Sequence, residues 1–308
     1  MAGARSGVWS CGPQLGDTVM IVTDRFEYAA DDDPCLNYCL WPYEPIAVMR
    51  GKFASVNLLY QSFEVAGINP KVIDVIDLIR GAIGRFQTVY GIKWLGDRLA
   101  WEFYFYDYRR TRRVVSINKL LHAIRPLLPC AIQANENLTY FMFSIDIDDD
   151  RVRGARELDV VHMYVGNPGS SVSSGIAYAI KPRSTALENL YFFFDARSQL
   201  QEAADKIRSS AFVDATEVDI HRILDPRLRD CHTICVANKQ VNDTVYFSQV
   251  NVYQLLYFLN KLNYPPAIVR FVENNMENLD HLLYDVGFDY TTDGSDINLI
   301  KSGYYGVF

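Results

Sequence analysis

Residues 98–108 read RLAWEFYFYDY. With a period of two, Leu99, Trp101, Phe103 and Phe105 fall on one face, and Ala100, Glu102, Tyr104, Tyr106 and Tyr108 on the other. That alternation predicts a β-strand between two different surroundings. One face is apolar enough for a packed core. The other sets a carboxylate among phenols, as the wall of a half-polar cavity would; an ordinary core strand with solvent-facing tyrosines is the alternative. The neighbouring chain decides between them, because the same strand type recurs along it.

Five hairpins can be traced. Phe86–Leu95 and Arg98–Tyr108 pair across Gly96-Asp97, and Leu138–Ile147 pairs with Glu157–Val165 across DDDRVRGAR. Gly175–Lys181 pairs with Leu187–Asp195, Thr233–Lys239 with Thr244–Gln249, and His281–Tyr290 with Ile297–Tyr305 across TTDGSD. Helices are predicted after most of them: Val115–Leu127, Ser198–Ser209, Val252–Leu262 and Pro265–Asn278. Only GNPGSS follows the second hairpin. About ten antiparallel strands tend to curl, and closure removes their exposed edges. The expected fold is therefore α+β: a closed antiparallel barrel of about ten ββα-repeat strands, helices outside, wide enough for a ligand. Residues 1–50 form an irregular lead with one plausible strand at Thr18–Val22, residues 53–84 a helical pair and 86–305 the barrel, all in one domain spanning 1–308. Division into two α+β domains near 168–175 is the runner-up.

Composition narrows the function. The 308 residues carry a net charge of −7, opposite to what tracking a nucleic-acid backbone needs, so no nucleic-acid partner is expected. Aromatic residues make up 13%, with 20 Tyr and 17 Phe, which suits strands. No run of 18 apolar residues occurs and MAGARSGVWSCG lacks a signal-peptide core, so the expectation is a cytoplasmic protein without a membrane partner. Six scattered cysteines do not make a disulfide framework, and the Cys35/Cys39 and Cys231/Cys235 spacings suit zinc poorly. There is no G-x-G-x-x-G, Walker loop, G-x-S-x-G or H-E-x-x-H, and no organic cofactor is expected. Asp146–Asp150 has the composition of an aspartate-rich magnesium motif but reads as a charged turn, and His162 reads as structural.

Four lysines occupy related places: Lys93, Lys181 and Lys239 near the end of a hairpin's first strand, and Lys301 on the last strand. Gathered at one end of a barrel they would repel one another unless a multiply charged anion, such as a diphosphate, relieved them. At strand ends they could equally reach into water. Tyr104, Tyr106, Tyr140, Tyr246 and Tyr304 offer π-faces for a carbocation and hydroxyls for phosphate. Glu102 is a candidate base or cation stabiliser, or else a salt-bridge partner of a lysine.

The chain ends INLIKSGYYGVF (297–308), and VANKQVNDTVYF spans 236–247. Together with the barrel pattern, these stretches resemble the ABBA-type prenyltransferases, in particular the cyanobactin-type peptide prenyltransferases. Those chains end in a basic strand followed by consecutive tyrosines and a terminal Phe, and carry a lysine before an Asn-rich turn in the penultimate hairpin. The resemblance implies transfer of a dimethylallyl or geranyl group from its diphosphate to a peptide side chain or a small aromatic acceptor. Lys93, Lys181, Lys239 and Lys301 would bind the diphosphate, with Mg2+ as a possible companion, and Tyr104, Tyr140, Tyr246 and Tyr304 would shield the cation. Glu102 would take the proton. One departure is plain: where that family's second strand offers an arginine, AWEF places Glu102. A non-catalytic binding barrel and an α+β interaction module remain the alternatives.

Overall fold

The structure, a computed structural model, describes residues 25–110, 112–167 and 173–308; the strand expected at Thr18–Val22 lies outside them. The described elements run α1 (Val56–Ala66), α2 (Val72–Ile83), β1 (Thr88–Trp94), β2 (Leu99–Tyr106), α3 (Ile117–Ile124), β3 (Met142–Ile147), α4 (Asp149–Val152) and β4 (Val161–Gly166). They continue with β5 (Ser173–Lys181), β6 (Ser184–Asp195), α5 (Leu200–Arg208), α6 (Ile220–Ile223), β7 (Thr233–Asn238) and β8 (Asp243–Val250). The last are α7 (Val252–Lys261), α8 (Pro266–Asn274), α9 (Met276–Leu279), β9 (Tyr284–Asp293) and β10 (Asp296–Val307).

Each strand pairs antiparallel with its neighbour in the chain, and β10 returns to β1, so ten strands close into a barrel. The closing seam runs from Val89↔Val307 to Trp94↔Ser302. β4 and β5, which flank 168–172, pair from Val161↔Ile180 to Gly166↔Gly175, so the strands on either side of the runner-up boundary belong to one barrel. DDDRVRGAR is not wholly a turn: Asp148 caps the single helical turn α4 by accepting from the Arg151 amide.

The alternation in β2 sorts as expected. Leu99, Trp101, Phe103 and Phe105 pack into the larger core with α1 and α2, where Trp101 Nε1 donates to Ser62 Oγ at 2.8 Å and meets Phe63 edge-on. α1 stops at Gly67, which takes the left-handed conformation (φ 60°) and caps Phe63 and Glu64 carbonyls. α7 begins with a reciprocal capping box between Asn251 and Gln254. Opposite residues of an antiparallel pair share a face, so Gly91↔Glu102↔Asp146 and Val89↔Tyr104↔Ser144 carry the inner face from β1 through β2 to β3. A second, smaller core lies inside the lower barrel: Val89, Tyr104, Tyr106, Met142, Tyr164 and Tyr305 are among its members.

Three bulges adjust the lumen. Each inserts one residue: Glu188 between the β5–β6 pairs, Gln249 between the β8–β9 pairs, and Ile300 between the β9–β10 pairs. The described part of the lead, from Arg25, carries isolated bridges Tyr28↔Phe53 and Leu36↔Pro42 and is tied to the rest of the fold. Glu27 accepts from Arg80 at 2.5 Å, and Leu36, Tyr38 and Leu40 pack against the inner core.

Candidate functional site

At the end of the barrel where β1 finishes and β2 begins, a cavity of about 570 Å3 opens. Charged side chains ring its mouth, each delivered by strand parity or by a bulge. One arc holds Lys301 from β10, Asp289 from β9 and Lys239 from the end of β7. The Ile300 bulge sets Lys301 opposite Asp289. Asp289 is 4% exposed and receives Lys239 Nζ at 2.7 Å, Lys301 Nζ at 3.6 Å and Thr244 Oγ1 at 2.7 Å. Burial opposes its charge, but Lys239 and Lys301 outweigh burial and hold its carboxyl below the ordinary value. Burial also lowers the Lys239 ammonium, and Lys301 beside it pushes the same way.

The other arc is acidic. Lys93 Nζ bridges Glu102 and Asp146, at 3.0 Å from the latter. Burial works against both the Lys93 and the Asp146 charge; their mutual attraction prevails, raising Lys93 and, with His162, lowering Asp146 to about 2. Tyr104 donates to the second oxygen of Glu102 at 2.7 Å, so both Glu102 oxygens are engaged. The Glu188 bulge brings that carboxylate to His162 Nδ1 at 2.5 Å. Burial disfavours the imidazolium, but Glu188 and Asp146 more than offset this and raise the His162 pKa.

Below the charges the walls turn phenolic: Tyr104, Tyr164, Tyr191, Tyr246 and Tyr305 line the cavity. Two rings rest on glycines of the next strand. A Cβ at Gly91 would lie 2.5 Å from the Tyr305 ring, and one at Gly287 2.3 Å from the Tyr246 ring. Burial pushes the Tyr104, Tyr246 and Tyr305 phenols far above their usual range, so they remain neutral donors.

Of the residues expected at the site, Glu102, Lys93, Lys239, Lys301, Tyr104 and Tyr246 come together here, and Lys181 lies exposed on the rim. Three expectations fail. Tyr106 shares the inner face of β2 but lies in the inner core and does not line the cavity. Tyr140 precedes β3 and is bound to the start of α3, donating to Glu136 at 2.5 Å beneath the Arg113 guanidinium. Tyr304 has the wrong parity: it points away from the lumen onto Tyr264, 5.7 Å between ring centroids, and Tyr305 takes the inward place. Sequence reasoning also passed over Asp289, Glu188, Tyr164 and Tyr191, and it set His162 aside. The signal for Asp289 was present, since Asp285, Gly287 and Asp289 alternate within an otherwise apolar strand. Glu188 had no such signal, because a bulge is not visible in the alternation.

The mouth does not offer a magnesium cage of its own. Glu102 and Asp146 lie on Lys93, Glu188 on His162 and Asp289 on two lysines, and among the described residues no three His, Cys, Asp or Glu side chains gather for a metal. The described cysteines are free thiols, and no helix among the described residues is long and apolar enough to cross a membrane. A search of protein-family models finds none that matches this chain, and a search of curated proteins likewise finds no match.

Proposed function

We propose that this protein is a prenyltransferase, moving a dimethylallyl or geranyl group from its diphosphate to a nucleophilic side chain of a peptide or to a small aromatic acceptor. The observation that carries the reading is the vertical order of one lumen, with a lysine arc at the mouth directly above a well of neutral phenols. The closed ten-strand barrel, with a helix following β2, β6 and β8, is compatible with an ABBA-like pattern and supports it.

In this reading the diphosphate sits on Lys239 and Lys301, with Lys181 reaching over the rim, and displaces Asp289 as their counter-charge. The allylic C–O bond breaks, and its electron pair leaves with the diphosphate. The π-faces of Tyr246, Tyr305 and Tyr104 stabilise the allyl cation and keep water away. A lone pair of the acceptor forms the new bond to carbon, and its proton passes to Glu102, the least exposed carboxylate of the acidic arc. Lys93 holds both carboxylates in place and keeps Asp146 ionised. The residues present do not suit a dedicated metal site, so no step runs through one.

One observation favours a second reading, a non-catalytic binding barrel. The lumen carboxylates are already matched by the chain's own cations, so the mouth is balanced without ligand. Titration with dimethylallyl and geranyl thiodiphosphates, then incubation of the reactive diphosphates with a peptide panel read by intact mass, separates the two. Binding with mass gain supports transfer. Binding without gain on any acceptor leaves the binding barrel, and no binding overturns both.

A further inference from the structure

The lower end of the barrel is closed by a residue that no barrel strand supplies. Residues 35–43 of the lead form a strap across it. Asn37 organises the strap, its Oδ1 accepting from the Cys39 and Trp41 amides at 2.9 and 3.0 Å. The barrel holds it at three points. Asp285 accepts from the Tyr38 amide at 3.0 Å, Tyr108 donates to the Cys39 carbonyl at 2.8 Å, and the Leu283 amide donates to the Tyr43 hydroxyl at 2.8 Å.

From this strap Tyr38 points up into the lumen. Its ring meets Tyr104, Tyr305 and Tyr106 edge-on, with centroids 5.0, 5.3 and 6.2 Å away. Tyr104 and Tyr305 line the bottom of the open cavity, whereas Tyr38 and Tyr106 do not line it, so the cavity ends at this contact. Past Tyr104 and Tyr305 the next inward positions on their strands are Tyr106, which pairs with Met142, and Val307, in a largely apolar inner core that also holds Val89 and Ala177. The Tyr106 hydroxyl is buried there without a hydrogen-bond partner. A barrel without this ring would be deeper, and its added depth would suit hydrocarbon.

We infer that Tyr38 is a specificity-determining floor: its ring limits how long a hydrocarbon chain the lumen accepts, and the subsite beneath it would take the distal isoprene unit of a longer allylic diphosphate. The donor class rests on the prenyl-transfer reading above; the floor itself rests on geometry alone. The strap is held through backbone groups of Tyr38 and Cys39, so trimming the ring leaves those anchors in place.

The test compares wild type, Tyr38→Phe and Tyr38→Ala by calorimetric titration with dimethylallyl, geranyl and farnesyl thiodiphosphates, after circular dichroism shows each variant folded. Tyr38→Ala is expected to bind the longest chain that wild type discriminates against at least about tenfold more tightly, from the extra apolar surface buried. Tyr38→Phe, which keeps the ring, retains the wild-type ranking. An unchanged ranking in Tyr38→Ala, or an equal shift in Tyr38→Phe, overturns the proposal. Should no thiodiphosphate bind any of the three, the prenyl-transfer reading fails and a benzene arm decides the floor. A rise in melting temperature with benzene in Tyr38→Ala but not in wild type sustains the floor, and no rise in either removes it.

Discussion

Lys93 serves two carboxylates at once, and this makes Glu102 and Lys93 behave differently under substitution. Glu102→Gln leaves Lys93 with Asp146 and leaves Tyr104 an oxygen to donate to. The expected result is a near-normal melting temperature with turnover reduced by roughly 10²–10⁴, the usual contribution of a positioned acid or base. Lys93→Met instead strands two anions. Lys93 and Glu102 side chains are 9% and 13% exposed, and breaking such a pair from one side costs about 3–5 kcal/mol, so this variant should melt well below wild type. Unchanged turnover in Glu102→Gln together with a lowered melting temperature would assign Glu102 to the scaffold. At this scale the sequence was legible wherever parity alone decides, as in 98–108. It misled at Tyr304, because residues three apart on one strand do not share a face: with Lys301 inward, Tyr305 and not Tyr304 follows it. Tyr140 misled for another reason, since β3 starts at Met142, later than the Leu138 start that the hydrophobic run suggests.

Among the elements, the bulges and the strap carry the information that alternation does not. The Gln249 bulge, with φ 64°, turns its amide toward Asp285, which also receives the strap through the Tyr38 amide. Asp285 is 5% exposed, and burial lifts its pKa from 3.8 to about 6, against the pull of Ser248 and the two amides. A raised carboxyl pKa means that the folded state holds the proton more tightly than the unfolded chain. Its contribution is therefore full below about pH 4 and is lost as pH rises through about 6, on the order of 3 kcal/mol over that window. Asp285→Asn should remove this slope and melt higher than wild type at neutral pH, with the difference vanishing near pH 4; parallel melting curves across that range would refute it. The glycines give a second check. Gly287→Ala would put a Cβ 2.3 Å from the Tyr246 ring and 2.9 Å from the Val245 carbonyl, and backbone cannot yield as a side-chain tip can. A loss of about 1–3 kcal/mol is expected in denaturant titration, with the lumen tyrosine displaced. Nothing in the sequence announces these contacts, because they join a strand to its neighbour through register.

Over the whole molecule, a chain with a net charge of −7 concentrates three lysines and one buried aspartate on part of a single rim. The ten strands and their closure were legible because each hairpin carries its own alternation and turn. The strap across the far end was not, because its role depends on reaching partners as far along the chain as Asp285, 247 residues from Tyr38. The same long-range logic bears on the proposed donor site: Asp289 pairs with Lys239 and Lys301, so a diphosphate bound there would compete with the carboxylate for both lysines. Asp289→Asn keeps the hydrogen-bonding shape toward Thr244 and Lys239 but removes the charge, leaving two ammonium groups to repel each other. The ligand-free variant should melt lower than wild type, and inorganic pyrophosphate should bind it about tenfold or more tightly and restore the loss. Lys239→Ala and Lys301→Ala should each weaken pyrophosphate binding by more than tenfold, as removal of one partner from a partly desolvated ionic contact does. Calorimetry on the three variants at fixed ionic strength decides the matter. If Asp289→Asn binds pyrophosphate no better than wild type, the lysine arc is a self-contained salt bridge, and the donor must be sought elsewhere on the rim.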